Sequence, residues 1–135
     1  MKKSLLTLLF TIFITISGFS QISPNKADEY IKEFFGPNYQ RLLQNEPQRI
    51  LSYKQLLIER IEFIKEKEQD DEKFVKISTL DLFNNFNSDL KRDLKFSIET
   101  FNPLKYAMPF FNLRTSVYRL DGTDWLIKIN AQNIK

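Results

Sequence analysis

The chain contains neither cysteine nor histidine, and it has only three glycines in 135 residues. Without cysteine there is no disulfide, no thiolate nucleophile, no zinc ribbon and no iron–sulfur ligation. Without histidine there is no imidazole base, no Ser-His-Asp triad and no histidine ligand for zinc, copper or haem. The shortage of glycine removes phosphate-cradling loops as well. No GxGxxG or Walker A pattern occurs, and beyond residue 20 only Gly36 and Gly122 remain. No cofactor is therefore expected. What is plentiful is apolar and aromatic: 42% of residues are hydrophobic and 13 are Phe, enough to form a core and to argue against disorder.

Lys2 and Lys3 precede an uncharged run from Leu5 to Ile16, and small or polar Ser17, Gly18 and Ser20 precede Gln21. This is the layout of a secretory signal peptide: a basic start, a short apolar helix for the translocon, and small residues at the cut. Gly18 and Ser20 occupy the positions that must be small, which predicts cleavage after Ser20 and a new N-terminus at Gln21. Leu5 to Phe19 covers 15 residues, short of the roughly 20 that cross a bilayer. The expectation is an exported protein, periplasmic or secreted, that meets a membrane only through this segment before cleavage. Losing Lys2 and Lys3 leaves 18 basic against 17 acidic residues, so the net charge falls from +3 to +1. The basic pI thus belongs largely to the leader and does not point to nucleic acid.

Residues 21–135 read as a single α+β domain, with a helical half over 21–70 and a strand-rich half over 74–135. Ser23 or Asn25 can cap a first helix with Pro24 in its first turn. Tyr30, Ile31, Phe34 and Phe35 form its apolar face, and Gly36-Pro37 stops it. A further helical turn is expected over Tyr39 to Gln44. The spacing Ile50, Tyr53, Leu57, Ile61, Ile64 predicts a second, longer helix, capped at Asn45 with Pro47 in its first turn. Its outer residues lack the basic bias of a membrane-surface helix, so the wide stripe reads as core. The charged run KEKEQDDEK, Lys65 to Lys73, reads as a solvated linker; it lacks the spacing and the glycine of a calcium loop.

Alternation predicts a strand over Phe74 to Thr79 and another over Leu94 to Phe101. Pro103 to Pro109 reads as an irregular crossing or a short edge strand. A hairpin is expected to pair Thr115–Leu120 with Trp125–Asn130 through Asp121-Gly122-Thr123-Asp124. Trp125, Ile127 and Ile129 should face the core. The architecture expected is two N-terminal helices on a roughly four-stranded antiparallel sheet ending in that hairpin.

The remaining catalytic chemistry would need carboxylates, Lys, Ser, Thr or Tyr. Asp121 and Asp124 sit in a turn, where Asp is favoured for local hydrogen bonds. Glu59 and Glu62 lie among Arg60 and Lys65 as solvated ion pairs. Ser52 with Lys54, and Ser97 with Lys95, carry no spacing that marks a Ser-Lys enzyme. No catalytic or metal residue is assigned. Aromatics interleaved with bases in the C-terminal half offer a binding patch formed by Lys105, Tyr106, Phe110, Phe111 and Arg114. The punctuated stretch Asn102 to Tyr106 is the first place to look for a functional loop.

FNPLKY (Phe101 to Tyr106) and YRLDGTDWLIKI (Tyr118 to Ile129), behind a leader ending Ser-Gln, resemble a set of short exported bacterial proteins of unknown function. The resemblance covers the last forty residues or so and the leader. It implies a Gram-negative envelope or secreted setting and carries over no catalytic residue. The functional expectation is a small, non-enzymatic envelope protein that binds a protein partner or small ligand. The alternatives are a small carboxylate-dependent hydrolase and an envelope assembly subunit that lends an edge strand.

Overall fold

The computed structural model describes residues 19–132, so the basic start and apolar run of the expected leader lie outside the described residues. Chain order is β1 (Phe19–Gln21), α1 (Pro24–Phe35), α2 (Tyr39–Asn45), α3 (Pro47–Gln55), β2 (Ile61–Lys65), β3 (Val75–Lys76), β4 (Ser116–Leu120) and β5 (Trp125–Ile129). The chain is α+β. Its strands form one mixed sheet in the order β1-β2-β5-β4-β3.

Helix α1 forms where local chemistry asks for it. The Ser23 hydroxyl accepts from the Lys26 N–H at 3.2 Å, and Pro24 occupies the first turn, where no N–H is missed. Gly36 ends it at φ 52. A Cβ there would also lie 2.5 Å from the Asn87 side chain, so both the dihedral and the space require glycine. The buried face, Ala27, Tyr30, Ile31, Phe34 and Phe35, shares one core with Ile61 and Phe63 of β2 and Ile127 and Ile129 of β5.

The second helix is shorter than its apolar spacing suggests. Asn45 closes α2 instead of capping α3, and α3 passes into a π-turn over Leu56–Arg60 before the chain straightens into β2. Ile61 and Ile64 satisfy a helical repeat, but Ile61 and Phe63 satisfy a period of two, and those are the residues that are buried. The strand wins because it pairs along its whole length with β5, and β1 pairs on its other side in the uncleaved chain. Phe63 lies opposite Ser20 in β1 and opposite Ile127 in β5. The full-length ladder with β5 outweighs the few tenths of a kcal/mol per residue in helix propensity.

The sheet differs from the antiparallel four strands expected. It has five, two of them contributed before residue 66, and β3 runs parallel to β4. The strand expected over Phe74 to Thr79 is only Val75–Lys76, followed by a 3-10 turn. Leu94 to Phe101 is not a strand. Leu94 is fully exposed, and the Phe101 N–H turns back to the Ser97 carbonyl at 2.9 Å. Its Phe96 and Phe101 rings still pack together, 5.9 Å between centroids. The hairpin forms as expected, with Gly122 at φ 71 and Tyr118 opposite Ile127. Among the described residues no helix is long and apolar enough to cross a membrane.

Candidate functional site

The five residues of the anticipated patch are not brought to one surface. Lys105 and Tyr106 are buried, Phe110 is half-buried, and Phe111 and Arg114 are exposed. The burial starts at Asn102. Its amide donates to the Tyr30 carbonyl at 2.9 Å and to Glu33 at 3.0 Å, while its oxygen accepts from the Leu104 N–H. Those bonds clamp the stretch Asn102 to Tyr106 against α1, so this stretch is a structural strap and not an open loop.

Beyond the strap, Asp93 gathers two of the predicted residues. Lys105 Nζ lies 3.3 Å from Asp93 Oδ1, and the Tyr106 hydroxyl donates to Asp93 Oδ2 at 2.7 Å. Burial, and then the Asp93 carboxylate accepting its proton, push the Tyr106 phenol up to about 12. Tyr106 is therefore a neutral donor at physiological pH. The other member of the buried pair, Asp93, keeps part of its surface in solvent.

Tyr106 also lines a cavity whose walls carry no charged residue. Phe34 of α1, Tyr53 of α3 and Phe83 supply one wall, and Leu104 to Phe111 supplies the other. The volume is about 190 Å³. The rings stand in aromatic contact: Phe34 stacks on Phe83 at 5.7 Å, and Phe111 meets Tyr53 edge-on at 6.3 Å. Phe111 is 62% exposed and stands at the mouth. Arg60, expected on a solvated helix face, instead donates to the Phe110 and Asn130 carbonyls, which fixes the segment that closes the cavity. Phe110 and Phe111 were legible as candidates from the C-terminal aromatic cluster. Phe34 and Tyr53 carried no such signal, because helical spacing marks them only as core, and Phe83 lies outside every helix and strand.

A second, larger groove opens at the hairpin turn, lined by Lys65, Glu68, Ser97, Glu99, Asp124 and Trp125, with a volume of about 560 Å³. Three carboxylates meet here, but two are engaged locally. Glu68 accepts from the Gly122 N–H at 3.2 Å, and Glu99 accepts from the Ser97 hydroxyl, which holds its carboxyl below the usual range. An acid held ionised is poorly suited to donate a proton at neutral pH. Among the described residues no group of three His, Cys, Asp or Glu is placed to hold a metal ion.

The other face of the sheet holds an arrangement that no local pattern signals. Arg119 lies beside Leu126 in register and is wholly buried. Its Nε and Nη2 donate to the two Glu72 oxygens at 2.8 Å each. Nη1 donates to the Glu66 and Thr123 carbonyls and Nη2 also to the Lys67 carbonyl, so all five guanidinium hydrogens are used. The Arg119 hydrogen bonds hold Glu72 below the usual carboxylate range and raise Arg119 above its own. Most of the charged run is solvent-exposed as expected, but Glu72 and the Glu66 and Lys67 carbonyls turn onto the sheet and cap Arg119.

No family model, no curated protein and no solved structure matches the chain.

Proposed function

We propose that the chain is an exported, non-enzymatic binding protein of the cell envelope, and that it holds an apolar ligand in the cavity beneath Phe110 and Phe111. The observation that carries this reading is the cavity lining: six aromatic rings with no charged residue, and an exposed Phe at its mouth. Small apolar concavities of this kind bind through desolvation, with few polar groups to set orientation. The Tyr106 hydroxyl is already committed to Asp93. In the groove at the hairpin turn, the Glu99 carboxyl is engaged by the Ser97 hydroxyl and held below the usual carboxylate range, which favours binding over acid catalysis.

The two parts of the proposal have separate tests. For export, mass spectrometry of the protein recovered from cells should find Gln21 or its pyroglutamate first, Phe19 and Ser20 of β1 having left with the leader; a retained Met1 overturns it. For binding, a thermal-shift screen of neutral apolar compounds should raise the Tm of the wild type and leave Phe111→Asp unmoved. Equal shifts in both would place the binding elsewhere. Phe111 is exposed enough that this variant keeps its fold.

A further inference from the structure

We infer that the cavity is sized and shaped for one uncharged aromatic ring, delivered by a small molecule; the inference rests on the cavity being the binding site. Volume is the first argument. About 190 Å³ is available, while an apolar protein cavity of about 150 Å³ is enough to stay dry and take up benzene. Sites for drug-sized ligands run from about 300 to 1,000 Å³, so a fused polycycle, a sterol or a long acyl chain exceeds this space. One ring with a small substituent fills it.

Shape is the second argument. Phe34 is stacked with Phe83 at 5.7 Å and tilted against Tyr53 at 5.6 Å, and Tyr53 meets Phe111 edge-on at 6.3 Å. The lining rings thus hold one another in a cluster, and a ring seated among them adds further aromatic pairs of the kind that attract. Met108, whose thioether favours ring edges, completes the wall. A saturated ring of the same volume would gain the burial but not these quadrupole contacts.

Charge is the third. No Lys, Arg, Asp or Glu lines the cavity, so a carboxylate or ammonium carried into it would lose its water without gaining a counterion. Once a ring is seated, little volume remains for a polypeptide backbone, which favours a free molecule over a side chain of a partner protein.

The test uses protein labelled with ¹³C at the methionine methyls. Only Met1 and Met108 are present, and Met108 lines the cavity. Toluene and ethylbenzene should shift the Met108 methyl saturably, and cyclohexane and benzoate should bind at least about fivefold more weakly. Ala107→Phe, at an exposed position on the rim, should abolish the response with an unchanged Tm; Phe111→Ala should weaken toluene roughly tenfold. A cyclohexane response as strong as that of toluene overturns the aromatic preference and leaves the binding reading standing. Tight binding of benzoate overturns the uncharged requirement, and tighter binding of N-acetylphenylalanine amide than of toluene transfers the site to a partner's side chain. If no probe moves Met108, the inference and the binding reading fall together.

Discussion

Arg119 would be placed in water by the alternation of its strand, yet it is the largest side chain with no exposure. A guanidinium is tolerable there only because every N–H has an acceptor and one acceptor is charged. Glu72 makes the arrangement pH-dependent, and the sign follows from the direction of its shift. Its folded-state pKa lies below the usual value near 4.5, so its contribution is complete above that value and is lost as the pH falls through the folded one. Wild-type urea midpoints should therefore drop on acidification below about pH 4.5. Glu72→Gln should start lower at neutral pH and show a flatter acid limb; parallel curves would show that the pair does not stabilise the fold. The glycines give a second contrast. Gly36→Ala meets both a positive φ and the Asn87 side chain, whereas Gly122→Ala meets a positive φ in open space. Chemical denaturation should show a loss of about 1 kcal/mol for Gly122→Ala and at least about 2 for Gly36→Ala.

The elements that could be read from sequence are those with their own local signals. Ser23, Pro24 and Gly36 bound α1, and Asp121-Gly122 turns the hairpin, so both form where expected. Those that could not be read depend on partners distant in the chain. Ile61 and Ile64 fit a helix as well as a strand, and only β1 and β5 on either side decide between them. Leu94 to Phe101 alternates like a strand, but the hairpin already has β2 and β3 as neighbours and leaves it no edge. The candidate site divides the same way. Phe110 and Phe111 stand out from a cluster close in sequence, while the opposing wall comes from Phe34 and Tyr53, which look like ordinary helix core, and from Phe83 in an irregular segment. The strand assignment of β2 is checked by truncation. Phe63→Ala should cost about 3–5 kcal/mol and Ile64→Ala less than about 2, because Phe63 is in the core and Ile64 is half-buried on the other face. Equal losses, as on a buried helix, would contradict it.

At the scale of the molecule, the sheet joins distant stretches of chain: Ile61 lies opposite Ile129, and Phe19 opposite Ile64. Closing such loops before any contact rewards them is slow. The single Trp125, half-buried in β5 beside Lys65, gives a clean fluorescence probe. Stopped-flow refolding should relax over milliseconds to seconds, and a microsecond phase with full amplitude would contradict the topology. The β3 edge of the sheet is only two residues long, which limits the bare backbone it offers to a neighbouring chain, whereas loss of Phe19 and Ser20 with the leader uncovers the outer edge of β2. The contact between Arg119 and the 66–72 segment has a consequence for a chain with no cysteine. It ties two stretches some fifty residues apart at one point, as a sulfur bridge does in many small secreted domains. Unlike that bridge, it needs no oxidant to form and no reductant can open it. The cross-link is indifferent to the redox state of the compartment and answers to acid instead.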